Sequence, residues 1–167
     1  MWTDREPLCR QAPRRACRWG KVKDIELGTD REAIFADLLA AFGNHDYETI
    51  RAAMRSDVVL VLLGTSPLAG TYRGVEELDR FVVALRAVLD TGRHQVSFSH
   101  QGNQMIVRHQ VEVHGPQHVA AMILRQRFEF DPASGKITSI TVEPEDRGLF
   151  DYVVQTALTE GRVTVPS

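Results

Sequence analysis

Cysteine occurs at two positions, Cys9 and Cys17, both in the N-terminal segment, so the rest of the chain carries neither a disulfide framework nor a thiolate metal site. The cytoplasm is then the expected compartment. Long hydrophobic runs are missing too. The longest, "VVLVLLG" from Val58, stops far short of the ~20 apolar residues a membrane span needs. An excess of charge is also absent, and a net charge of -2 over 167 residues argues against a nucleic-acid or an acidic partner. With 43% hydrophobic and 25% charged residues, the composition is that of an ordinary soluble protein, and the length suits one domain with an extension.

Apolar periodicity is lacking in the first two dozen residues. "REPLCRQAPRRACRWGK" gathers arginines and prolines and cannot bury enough surface to offset the entropy of ordering it. Residues 1–28 are therefore expected to be a flexible N-terminal extension. The pair Arg14 and Arg15 is not followed by the ~7 to 15 apolar residues of an export signal, and scattered arginines without a platform read as a solvated tail.

What is present begins at "TDRE". Thr29 and Glu32 form a capping box ahead of an apolar face at Phe35, Leu38, Leu39 and Phe42, which predicts a helix ending near Gly43. A short helix follows from Asp46, with Tyr47, Ile50 and Met54 at helical spacing, and then "SDVVLVLL" reads as a buried strand. "GTSPLAGTYRG" reads as a turn-rich loop. Val75, Leu78, Phe81, Val82, Leu85, Val88 and Leu89 recur at steps of three and four up to Gly92, the longest helix.

Beyond Gly92 the period becomes two. "HQVSFSH", "QMIVRHQVEVH", "HVAAMILRQRFEFD" and "KITSITVEP" are strands joined by the turns "QGN", "GPQ" and "DPASGK", which makes an antiparallel meander. A last helix starts near Arg147, with Phe150, Val153, Val154 and Leu158 on its apolar face. The class is α+β, with helices packed on a curved antiparallel sheet.

This order of elements, the loop "GTYRG" and the final hairpin "FEFDPASGKI" resemble the nuclear transport factor 2-like superfamily, closest in flavour to its SnoaL-like members. The resemblance covers roughly Thr29 to Leu158, leaving residues 159–167 as a C-terminal tail. It implies a cone-shaped sheet with N-terminal helices on its concave face and a conical pocket between them. The superfamily includes polyketide cyclases, ketosteroid isomerases, epoxide hydrolases and non-enzymatic proteins, so residues facing the pocket decide the chemistry. Where a ketosteroid isomerase would present a tyrosine and two aspartates, this chain has Leu38, Leu62 and Gln126. Where a limonene-type epoxide hydrolase would present Arg-x-Asp and a second Asp, it has Val107, His109 and Val142. Both activities are disfavoured.

His109 falls in step with Met105, Val107, Val111 and Val113, and so stands on the apolar face of its strand. With Gln126 on the neighbouring strand, it lies among Val107, Val111, Met122, Leu124, Phe128, Ile140 and Val142. An imidazole with an ordinary pKa near ~6.5 can take or give a proton at neutral pH, and a carboxamide N–H can donate to a developing enolate oxygen. The catalytic candidates are therefore His109 and Gln126. Tyr72, Leu38, Leu62, Val107, Met122, Leu124, Phe128 and Val142 are the candidate substrate-binding residues. SnoaL-like cyclases resemble such a site in working without a cofactor, although their histidine is typically paired with a pocket aspartate that has no counterpart placed here. The competing reading is a core histidine and glutamine that satisfy each other. For Tyr72 it is a turn tyrosine that packs its ring.

Glu143, Glu145, Asp146 and Asp151 cluster where the last strand meets the last helix and read as capping and rim charges. His94, His100, His114 and His118 show no metal-ligand spacing, and neither "GPQH" nor "GTYRG" has the context of a phosphate loop, so no metal and no cofactor is expected. Two classes stay open: a cofactor-independent acid/base enzyme of cyclase, isomerase or dehydratase type acting on a small apolar carbonyl-containing or polycyclic compound, or a non-catalytic ligand-binding or dimerisation module. A small-molecule ligand is the expected partner. A homodimer through the outer sheet face is expected because Ile106, Arg108, Gln110 and Glu112 on one strand, and Ile123, Arg125, Arg127 and Glu129 on the next, mix opposite charges with branched apolar residues.

Overall fold

The computed structural model describes residues 30–44, 46–89, 94–114 and 119–165. The extension at 1–28, the Thr29 half of the capping box, the turn "GPQ" and His118 lie outside the described residues, as do the side chains of Glu32, Phe35, Leu39, Phe42, Tyr47, His94, His100 and His114. Helix α1 spans Asp30–Asn44, with Leu38 wholly buried. Asp46 caps α2 (Tyr47–Ala53): its side chain accepts from Thr49 N at 3.2 Å, filling a bond the first helical turn cannot make for itself.

Met54, which the helical spacing places on α2, instead opens β1 (Met54–Leu62) with an extended backbone. Its side chain is 2% exposed either way, because apolar periodicity reports burial more firmly than it reports conformation. The turn-rich stretch also differs from expectation: "GTYR" forms a short strand β2 (Gly70–Arg73), antiparallel to β1. Four residues at the edge of the sheet are too few to display a period of two. Helix α3 (Gly74–Val88) then packs on β1 and β2, burying Leu78, Phe81, Ala84, Leu85 and Val88.

The meander follows as β3 (His94–Gln101), β4 (Gln104–His114), β5 (Val119–Phe130) and β6 (Ile137–Pro144), each antiparallel to the last. The sheet has six strands in the order β2-β1-β6-β5-β4-β3. It is mixed, since β1 and β6 run parallel. That pairing brings chain ends far apart in sequence side by side and gives the strands a common direction toward Leu62 and Pro144. Helix α4 (Arg147–Thr159) starts there, capped by Asp146, whose carboxylate accepts from Leu149 N at 2.9 Å. The chain past α4 packs on the domain: Val163 is 7% exposed, and the Arg162 guanidinium donates to Ala87 O at 2.8 Å, closing the end of α3. No helix among the described residues is long and apolar enough to cross a membrane.

Candidate functional site

Register fixes which side chains meet on the inner face of the sheet. Val142 of β6 lies opposite Leu62 of β1 on one side and Gln126 of β5 on the other, and Gln126 lies opposite Val107 of β4. Two residues further along, Pro144, Leu124, His109 and Val96 form the next row on the same face. His109 and Gln126 are thus diagonal neighbours, within reach because both side chains are long.

They meet: His109 Nε2 lies 3.2 Å from Gln126 Oε1. A carboxamide oxygen can only accept, so Nε2 carries the hydrogen and donates it. His109 is 7% exposed, one of few buried polar residues, and Gln126 is partly exposed. The Gln126 amide nitrogen makes no hydrogen bond among the described residues. Around the pair the expected lining residues are tightly covered. Leu38, Val107 and Met122 are 0% exposed, Leu124 and Val142 1%, and Leu62 and Phe128 2%.

Tyr72 stands apart. It faces Leu60 across the β1–β2 ladder, in the row that continues through Ile140 to Phe128, so three strand spacings, about 14 Å, separate it from β5. Its hydroxyl donates to Leu68 O at 2.6 Å, and its ring lies 4.8 Å from that of Phe81. Burial pushes its phenol above the ordinary tyrosine range by disfavouring the phenolate.

The acidic cluster at the β6–α4 junction divides by role. Glu145 accepts from both Arg108, at 3.1 Å, and Arg125, at 3.2 Å, on the outer face. Glu143 pairs with Arg147 at 3.5 Å, and Asp146 serves the helix cap. With Pro144 and Arg125 these residues line an open groove whose charges are spent on one another. Asp151 differs from the rim role read for it: one oxygen accepts from Thr65 Oγ1 at 2.7 Å, while the other is buried with no partner, as is Ser66 Oγ. Neither Ser66 nor Leu68, which is wholly buried, stood out in a stretch that reads as polar turn. Among the described residues no group of three or more metal-ligating side chains is placed to hold an ion.

No family sequence model and no curated relative matches the chain. Solved structures do. An NTF2-like protein from Burkholderia xenovorans aligns with a TM-score of 0.56 at 22% identity, over 74% of this chain and 95% of that one. A candidate SnoaL-like polyketide cyclase from Shewanella denitrificans aligns with a TM-score of 0.52 at 14% identity, over 75% and 97%. The chain therefore has the NTF2-like α+β fold, in the form seen in SnoaL-like proteins. TerC, crystallised with polyporic acid, aligns with a TM-score of 0.62 at 22% identity, over 76% of this chain and 99% of that one.

Proposed function

We propose that the chain is a cofactor-independent acid/base enzyme of cyclase, isomerase or dehydratase type, acting in the cytoplasm on a small apolar carbonyl-containing or polycyclic compound. The observation that carries this reading is the hydrogen bond from His109 to Gln126 on an otherwise apolar sheet face, with the Gln126 amide nitrogen uncommitted. With its hydrogen held on Nε2, the imidazole has Nδ1 as its basic nitrogen. Proton removal from a carbon beside a carbonyl makes His109 cationic, which strengthens its bond to Gln126 Oε1. That polarises the carboxamide and makes its N–H a better donor to the enolate oxygen formed in the same step. The proton then returns from His109 to a different atom of the substrate. Leu62, Val107, Met122, Leu124, Phe128 and Val142 supply the apolar surroundings in which such charge shifts are strongly felt, with Leu38 covering them from α1 and Tyr72 at the far edge. A homodimer through the outer sheet face accompanies this reading, its surface carrying Arg108, Arg125, Arg127 and Glu129.

The close packing of the apolar side chains around the pair supports a second reading, a non-catalytic ligand-binding or dimerisation module of the same fold. Deuterium uptake separates the two. Polycyclic 1,3-diketones, which carry an exchangeable C–H between their carbonyls, are incubated with the protein in D2O, and polyporic acid, suggested by the TerC likeness but without such a C–H, serves as a probe of binding alone, followed like the others by ligand-observed NMR. Exchange at carbon well above the buffer rate supports the enzyme; binding without exchange supports the module. Neither binding nor exchange across the series contradicts both.

A further inference from the structure

Burial along the His109 row falls off in one direction. Pro144 is buried, Leu124 is 1% exposed and His109 7%, while Val96, directly opposite His109 on β3, is only half-buried. There the row ends, because β3 is an edge of the sheet and no further strand pairs with it among the described residues. Gln126 gives the same direction. It is partly exposed although Val142, Val107, Leu124 and Phe128, which surround it on the inner face, are each at most 2% exposed, and its diagonal neighbour His109 is more open than any of these four. The opening over the pair therefore runs from Gln126 past His109 toward Val96. We propose that a ligand reaches His109 over the free β3 edge, and that Val96 is the side chain that sets how wide a group can stand beside the imidazole. The inference rests on the acid/base reading only for what enters.

Side chains directly opposite on an antiparallel ladder have Cβ atoms about 4.5 to 5.5 Å apart. A carbon that comes from this side and stands close enough to His109 to exchange a proton is then also in van der Waals contact with Val96. Valine suits the position. It has no polar atom to compete with Gln126 for a carbonyl oxygen, and its branched Cβ restricts χ1, so the width it leaves is fixed rather than adjustable. Its packing against the core holds it there. The opposite flank offers no second way in, since Leu124 and Pro144 close the row on the β5 and β6 side.

Diethylpyrocarbonate, an apolar reagent that acylates imidazole, tests this route without any substrate. Modification is read histidine by histidine through mass spectrometry of peptides, with the other histidines as internal reference. Val96→Trp is expected to slow the reaction of His109 about tenfold and Val96→Ala to speed it several-fold, the usual scale for a change of a few carbons in an apolar pocket. Val142→Ala removes the same two methyl groups on the closed side of Gln126 and leaves His109 near the wild-type rate. General loosening of the fold speeds every histidine alike, so it does not imitate opposite changes at His109 alone. The route is overturned if His109 reacts at the wild-type rate in both Val96 variants, if Val142→Ala speeds it as much as Val96→Ala does, or if wild-type His109 is modified only on unfolding. The acid/base reading fails separately, by the absence of deuterium exchange.

Discussion

The Gln126 carboxamide oxygen receives His109 Nε2–H, and this makes the pair testable residue by residue. Gln126→Leu removes the acceptor that faces the buried Nε2–H, and is expected to cost about 1 to 3 kcal/mol in a denaturant titration. Tyr72 gives a pH signature. Its pKa is raised in the fold by burial, so the folded state holds the phenolic proton more tightly than the unfolded chain. The associated stability is complete below the ordinary tyrosine pKa of ~10 and is lost as pH rises above it. Tyr72→Phe should flatten the fall in thermal midpoint above pH ~10 while lowering the midpoint at neutral pH, since the bond to Leu68 O goes with it. At this scale the inward pair was legible because alternation exposes any polar residue that falls in step with apolar ones. The Thr65–Asp151 contact was not, because it joins residues 86 positions apart through a turn whose composition says only that it turns.

Helix starts and meander strands were also legible, since each is written locally. Asp46 and Asp146 precede their helices as capping residues, and both accept the expected backbone bond. Asp146→Ala is expected to cost about 1 kcal/mol, measured by chemical denaturation, with fraying confined to the first turn of α4. The strands β3 to β6 match their alternating stretches because a half-buried sheet demands that pattern. What local pattern cannot carry is pairing. Nothing in "SDVVLVLL" says that its partner is β6, reached after a helix and four further strands, or that the two run parallel. That pairing sets Leu62 opposite Val142 and so completes the inner row that runs on to Gln126 and Val107, which makes the surroundings of the pair depend on information spread across the whole chain.

As a whole molecule, the protein presents one covered face, with helices packed on β1 and β2, and one charged face. On the latter, Arg108 and Arg125 converge on Glu145, and Glu129 accepts from Gln104 and Ser139, each at 2.9 Å. A surface that interleaves both signs offers each charge an opposite one for pairing with a second copy about a twofold axis, as the proposed homodimer requires. Sedimentation at micromolar concentration is expected to give the mass of a dimer, and a monomeric mass would remove the outer-face interface. The fold was legible at this scale and the reaction was not, because one fold carries many chemistries and only the inward side chains distinguish them. The deciding measurement therefore belongs to those side chains. The double variant His109→Leu, Gln126→Leu removes both halves of the hydrogen bond and should recover most of the stability that Gln126→Leu loses. If the pair moves protons, this refolded, stable protein still binds a ligand of the wild type but has lost deuterium exchange into it by a hundredfold or so, the usual scale of a positioned acid/base group. A double variant that recovers stability and exchanges the ligand as fast as the wild type contradicts the assignment outright.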